Sequence, residues 1–272
     1  MTTGVGFKCS DGIVLATDTQ HTGDWKMRGE KLFEIGGLDA IKLCVAGSGP
    51  VSLIRKAVEN IGKGVLQKNI TTVDNAQKLV EDVLATIYSK YIDTFVGPED
   101  QRPFLQLLVG TWVSPNSIEL FATDRIAVVP VSDYEVIGTG GLVVQYIMET
   151  ARSLNSSVAD AKHMALYAIK MAKDFDQYSG KETRLKTLML DGKMETASPQ
   201  EIGNAESCFD TLFDAIRLLV TAMTTEIVTD GELDEFVDSI GLKDTLRAFR
   251  DQERQRKEQE QRRKQGPVKR FS

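Results

Sequence analysis

Thr2-Thr3-Gly4-Val5-Gly6-Phe7-Lys8-Cys9-Ser10-Asp11-Gly12-Ile13-Val14-Leu15-Ala16-Thr17-Asp18 follows Met1, and the rest of the reading works outward from it. Thr3–Cys9 alternates in polarity and Ile13–Ala16 is a short apolar run. Ser10-Asp11-Gly12 between them is turn chemistry, so the segment predicts a β-hairpin whose first strand begins at residue 2 or 3. Once Met1 is removed, Thr2 carries a nucleophilic hydroxyl and an α-amine on one residue. Such an amine has a reference pKa of about 7.7–8.0, so at neutral pH part of it is free base and can take the hydroxyl proton directly or through water. This chemistry needs no imidazole, and the chain has only two, His21 and His163.

Downstream, Lys31–Ile35 and Ile41–Ala46 read as strands on either side of Gly36-Gly37-Leu38-Asp39. Gly47-Ser48-Gly49-Pro50 then leads into a helix, with Ser48 placed to cap it and Pro50 suited to its first turn. Apolar residues at three- and four-residue spacing predict helices over 51–66 and 73–95. A meander of strands is expected over 105–113, 118–123, 125–130 and 134–137. Helices over 142–154 and 158–174 come next, the second with Ser157 and Asp160 spaced as a capping box, then strands over 184–190 and 193–196. Strands, two helices, strands, two helices, strands suit an α+β fold: a four-layer αββα sandwich of two antiparallel sheets between helical layers. This core is expected over 2–205.

Beyond Glu206 the pattern is helical only. Residues 206–272 therefore read as a C-terminal extension, with Thr229 and Glu232 spaced as the cap of a second helix. Its end is cationic: residues 245–270 hold ten Lys/Arg against four Asp/Glu, an acid-base interleaving that suits a solvated helix or tail.

Composition excludes several classes. A net charge of −6 and a pI near 5.2 argue against a general nucleic-acid binder, which needs a cationic surface. Cys9, Cys44 and Cys208 are odd in number and show neither CxxC spacing nor pairing with histidine, so no disulfide framework and no metal site is expected, and a reducing cytoplasm is the natural setting. The N-terminus lacks the basic and apolar stretches of a secretory signal, and no 18-residue apolar run predicts a membrane span. Val136-Ile137-Gly138-Thr139-Gly140-Gly141 resembles a dinucleotide-binding loop only superficially, since it follows an antiparallel meander and no acidic strand end follows it; no cofactor is expected.

Six separated segments, in order, resemble proteasome β subunits and the related bacterial ATP-dependent peptidase. They are Thr2-Thr3, Asp11–Asp18, Lys31-Leu32-Phe33-Glu34-Ile35, Ala46-Gly47, and the later pair Gly138-Thr139-Gly140 and Asp176-Gln177-Tyr178-Ser179-Gly180. The resemblance covers residues 2–196 and implies an N-terminal nucleophile hydrolase with Thr2 as nucleophile. It further implies Asp18 and Lys31 as the buried pair beside Thr2, the backbone N–H of Gly47 as oxyanion donor, and Asp176 and Ser179 orienting the amino-terminal group. Thr139 stands where the family usually has serine. His21, Gly29, Phe33, Val45 and Gly49 are the implied lining of the substrate pocket.

The same resemblance implies hydrolysis of peptide bonds in unfolded protein, a self-compartmentalising homo-oligomer and an ATP-dependent unfoldase partner. Two departures bear on the pocket: the stretch between Asp18 and Lys31 is shorter than in most members, and Thr19 replaces a common arginine. No propeptide is expected ahead of Thr2, as in the bacterial peptidase, where removal of the methionine suffices. Two competing readings are an amidase or transpeptidase of narrow range on the same scaffold, and a non-catalytic assembly subunit that retains Met1.

Overall fold

β1 (Thr3–Lys8) and β2 (Gly12–Asp18) form the expected hairpin, closed by the Cys9 N–H donating to the Gly12 carbonyl at 2.8 Å. The computed structural model describes residues 3–22, 26–38, 40–68, 70–114, 117–151 and 157–224, with Gly231 and Asp238 beyond them. In the first sheet β10 (Tyr134–Gly138), β1, β2, β11 (Thr183–Met189) and β12 (Met194–Thr196) lie side by side in that order. β2 is therefore central and buried along its whole length, which its apolar run anticipates.

The second sheet runs β5 (Leu32–Leu38), β6 (Ile41–Ser48), β7 (Gln106–Val113), β8 (Ser117–Asp124), β9 (Ala127–Pro130), all antiparallel. Its two-residue period sorts the core. Along β6, Leu43 and Val45 join the helix-side cluster, whereas Cys44 and Ala46 join Ile13 and Leu15 between the sheets.

α1 (Val51–Gln67) and α2 (Val73–Ile87) cover the second sheet. Ile54, Ala57, Ile61, Leu84 and Ile87 lose all exposure there, each isoleucine or leucine contributing roughly 1.5–3 kcal/mol relative to leaving it in water. α4 (Val158–Phe175) lies on β1, β2 and β11, and α3 (Gly141–Ala151) on β10. The layers are thus αββα. The Ser157–Asp160 capping box is present in full.

Several local expectations are corrected. Ser48 does not cap α1: it is the last residue of β6 and wholly buried, and Pro50 holds the cap position. α2 ends at Ile87, not Phe95, and continues as a π-helical turn over Tyr88–Ile92 in which the Asp93 N–H reaches the Tyr88 carbonyl at 2.8 Å. Tyr88 is held by tertiary contacts that periodicity does not encode: its hydroxyl donates to the Leu105 carbonyl at 3.0 Å, and the Arg125 guanidinium lies 5.4 Å from its ring centroid. Arg125 itself is a turn residue at φ 53°, not the start of a strand. β3 (Gln20–Thr22) and β4 (Lys26–Arg28) form a short hairpin that the sequence reading did not foresee.

The chain divides into two compact units, 1–203 and 204–272. α5 (Pro199–Thr224) begins ahead of Glu206, where Pro199 takes the first helical position and the Ser198 hydroxyl accepts from the Glu201 N–H at 3.1 Å. Apart from Gly231 and Asp238, the helix expected after Thr229 and the charged tail lie outside the described residues. Among the described residues no helix is long and apolar enough to cross a membrane.

Candidate active site

Antiparallel register brings the ends of several strands to one edge of the sandwich. In the first sheet Thr3 opposes Gly138 and Asp18 opposes Thr183; in the second, Lys31 stands just before β5 and Ser48 opposes Gln106. Thr2 lies outside the described residues. Its peptide bond is to the nitrogen of Thr3, and that nitrogen donates to Asp18 Oδ1 at 2.9 Å.

Asp18 is a hub. Oδ1 also accepts from Lys31 Nζ at 2.9 Å, and Oδ2 accepts from the backbone N–H groups of Gln20 and Gly180, each at 3.0 Å. Both side chains of the pair have no exposed surface. Burial pushes the Lys31 pKa down, and the Asp18 carboxylate works against that shift. Lys31 Nζ donates also to the Gln20 carbonyl. A buried pair is costly unless its remaining valences are filled, and here the backbone fills the carboxylate's.

A second chain of groups starts at Thr3. Its Oγ1 lies 2.5 Å from Ser179 Oγ, which donates to Asp176 Oδ2 at 2.6 Å. A hydroxyl has one proton and a carboxylate none, so the Thr3 hydroxyl donates to Ser179 and Ser179 to Asp176. The Thr139 hydroxyl donates to the same Oδ2 at 3.3 Å, and the Tyr178 N–H donates to Oδ1 at 3.2 Å. Asp176 owes its position to the end of α4, where its own N–H closes on the Ala172 carbonyl.

Gly47 requires a correction. Its N–H donates to the Lys31 carbonyl at 2.9 Å as part of the ladder between β5 and β6, so in this structure the hydrogen that an oxyanion would need is already committed. Val45 has no exposed surface and belongs to the helix-side core, with Phe33 packed partly buried against the same cluster. Gly49 sits at φ 130°, where a Cβ would overlap the Phe104 carbonyl oxygen, so its lack of a side chain is required.

His21 lies in β3 with its ring against the Cα of Gly29, occupying the space a side chain there would need. It hydrogen-bonds the Gly29 backbone, and its Nε2 is buried without a partner among the described residues. Burial first, and then the Lys31 ammonium, lowers its pKa from 6.5 to about 4, so the ring is neutral at pH 7.

Sequence reasoning missed four contributors. Gln20 and Gly180 offer backbone groups to the Asp18–Lys31 pair, the Thr3 hydroxyl enters the Ser179–Asp176 chain, and Gln106 Oε1 accepts from the Gly138 N–H at 3.1 Å. A backbone donor has no residue-type signature. The position of Gly180 next to Ser179 and of Gln20 two residues after Asp18 was the one available hint. Thr19, the departure noted above, is almost wholly buried, and its hydroxyl accepts from the Glu182 N–H at 3.0 Å, a structural contact. Among the described residues no three His, Cys, Asp or Glu side chains are grouped to hold a metal ion.

Known proteins share sequence and fold with this chain. The sequence model of the family described as Proteasome subunit matches residues 1–188. Proteasome subunit alpha of Methanococcus vannielii is 26% identical over 62% of this chain and 63% of its own length, so the chain spans under two thirds of that relative. Proteasome subunit beta 2 of Pyrococcus furiosus is 27% identical over 71% of this chain and 90% of its own. Among solved structures, Anbu (ancestral beta-subunit) from Yersinia bercovieri superposes with a TM-score of 0.68 over 84% of this chain and 99% of its own, at 14% identity.

Proposed function

Because the chain belongs to the proteasome subunit family, we propose that it is a threonine endopeptidase whose nucleophile is Thr2, made the first residue by removal of Met1. The Thr2 hydroxyl oxygen bonds to the scissile carbonyl carbon while its proton passes to the α-amine. The tetrahedral adduct then expels the amine of the downstream peptide, which takes that proton, and leaves an ester on Thr2. Water then adds to the ester carbonyl, the bond to the Thr2 oxygen breaks, the upstream peptide leaves with a new C-terminal carboxyl group, and a proton from the water restores the Thr2 hydroxyl. Lys31 as an ammonium favours the developing alkoxide, Asp18 holds Lys31, and Thr139, Asp176 and Ser179 orient the α-amine.

With the Gly47 hydrogen in the ladder, we assign the oxyanion to the next backbone N–H on the same side of β6. Strand N–H groups alternate sides, so this is Gly49, just past the last strand residue. The observation that carries the proposal is the Asp18–Lys31 pair, wholly buried and bonded to the very nitrogen that links Thr2 to Thr3.

The relatives are named as subunits, and we place this chain likewise in a homo-oligomer that encloses the site, acting on unfolded polypeptide delivered by an ATP-dependent unfoldase. Its free cysteines suit the reducing cytoplasm. The test is intact mass before and after incubation with a peptide epoxyketone, with Thr2→Ala as control. Loss of Met1 followed by gain of one inhibitor, only when Thr2 is present, is the expected result. A processed chain that takes no inhibitor refutes the nucleophile, and retained Met1 returns the chain to an assembly role.

A further inference from the structure

A cavity of about 360 Å³, within the range of binding pockets, opens beside the candidate site. Thr139 and Gln106 form its near wall, and Gln106 pairs with Ser48, next to Gly47 and Gly49. Tyr88 and Phe104 bring aromatic surface to it, and the β8–β9 turn at Asp124 and Arg125 forms its far wall. His21 lies in the other direction: the second sheet runs from β5, whose leading Lys31 is near His21, through β6 and β7 to β8. The cavity and the β3–β4 hairpin thus lie toward opposite edges of the second sheet.

We propose that this cavity receives the substrate side chain immediately downstream of the cleaved bond and selects large apolar residues there. The inference rests on the peptidase reading, and the direction follows from proton bookkeeping. The group that takes the hydroxyl proton must deliver it to the departing nitrogen, so the downstream peptide lies on the α-amine's side, which is the side of Thr139.

The lining sets the preference. The Phe104 side chain is 37% exposed, and the cavity surface is mainly apolar, so an aromatic or leucine side chain removes it from water. Arg125 is already paired with Asp93 at 3.1 Å and stacked over Tyr88, which leaves the exposed Asp124 carboxylate to repel an acidic residue.

The test uses the full chain and internally quenched peptides identical except for glycine, leucine, phenylalanine or aspartate after the cleaved bond. Wild type should cleave the leucine and phenylalanine peptides with kcat/KM about tenfold above glycine, the lower end of what filling an apolar pocket achieves. Aspartate should fall below glycine. In Phe104→Ala the advantage should shrink toward one, and in Asp124→Asn aspartate should recover. An epoxyketone spanning only upstream positions should label Thr2 equally in wild type and both variants. Equal labelling with an unchanged leucine-to-glycine ratio in Phe104→Ala overturns the cavity's role. No labelling of wild type overturns the peptidase reading instead.

Discussion

Lys31→Met and Asp18→Ala remove the two halves of one buried pair, yet the structure predicts unequal costs. Breaking a buried pair by deleting one partner typically costs about 3–5 kcal/mol because a charge is left uncompensated. In Lys31→Met the Asp18 carboxylate keeps three backbone donors, from Thr3, Gln20 and Gly180, so the expected loss is at the low end, about 3 kcal/mol. Asp18→Ala orphans those three donors and the lysine together. At about 1–3 kcal/mol for each buried donor left unmade, the expected loss is about 5 kcal/mol or more, and Lys31 loses the carboxylate that works against the effect of its burial. Urea denaturation at pH 7 and fixed protomer concentration reads both values. Adding Asp18→Asn to Lys31→Met should cost less than the sum of the single changes, since the two share one network. If Asp18→Ala proves no more destabilising than Lys31→Met, Asp18 is not the hub described here.

Other expectations follow from single contacts. His21 is neutral in the fold with a pKa of about 4, whereas an unfolded histidine titrates near 6.5, so protons favour the unfolded state and stability falls as pH drops from 6.5 to 4. The contribution reaches about 3 kcal/mol below pH 4, and the stability difference between wild type and His21→Gln measured by urea melts at pH 7 and 4.5 should change by most of it. A Cβ at Gly140 would overlap the Thr3 hydroxyl and crowd Ser179, so Gly140→Ala should lower kcat at least tenfold with little change in KM, and equal kinetics would sink the proposed role of the Thr3–Ser179–Asp176 chain. Gly49→Ala puts a side chain at φ 130° against the Phe104 carbonyl and should destabilise by about 1–3 kcal/mol in the same melts. Cys44 is buried, with its thiol pushed up to about 12, so native protein treated with iodoacetamide at pH 8 should be alkylated at the partly exposed Cys208 well before Cys44, by peptide mass mapping.

Much of this molecule was legible in its residues. The β1–β2 hairpin followed from alternation around Ser10-Asp11-Gly12. The capping box of α4 followed from Ser157 and Asp160, and the four-layer order from where two-residue periodicity gives way to three- and four-residue spacing. These are local signals, carried by side chains a few positions apart. The acidic, hydroxyl and lysine members of the site were legible for a different reason: their chemistry names them by residue type, and family resemblance supplied the roles now proposed for them.

What periodicity could not supply was the direction of individual backbone hydrogens and the meeting of distant chain segments. Gly47 reads as an available donor until its pairing with Lys31 is known, and Gly180 and Gln20 have nothing in their side chains to announce the N–H groups they turn toward Asp18. The cavity joins Tyr88, Phe104, Arg125 and Thr139 from four separate segments of the chain. The sequence by itself determined most of the strands and helices, how they layer, and which hydroxyl, acidic and lysine residues are candidates for the site. Only the tertiary structure decided which hydrogens are committed, which carboxylate is the hub and where a cavity opens beside the site, because strand register and the close approach of distant segments come from the packing of the whole sandwich.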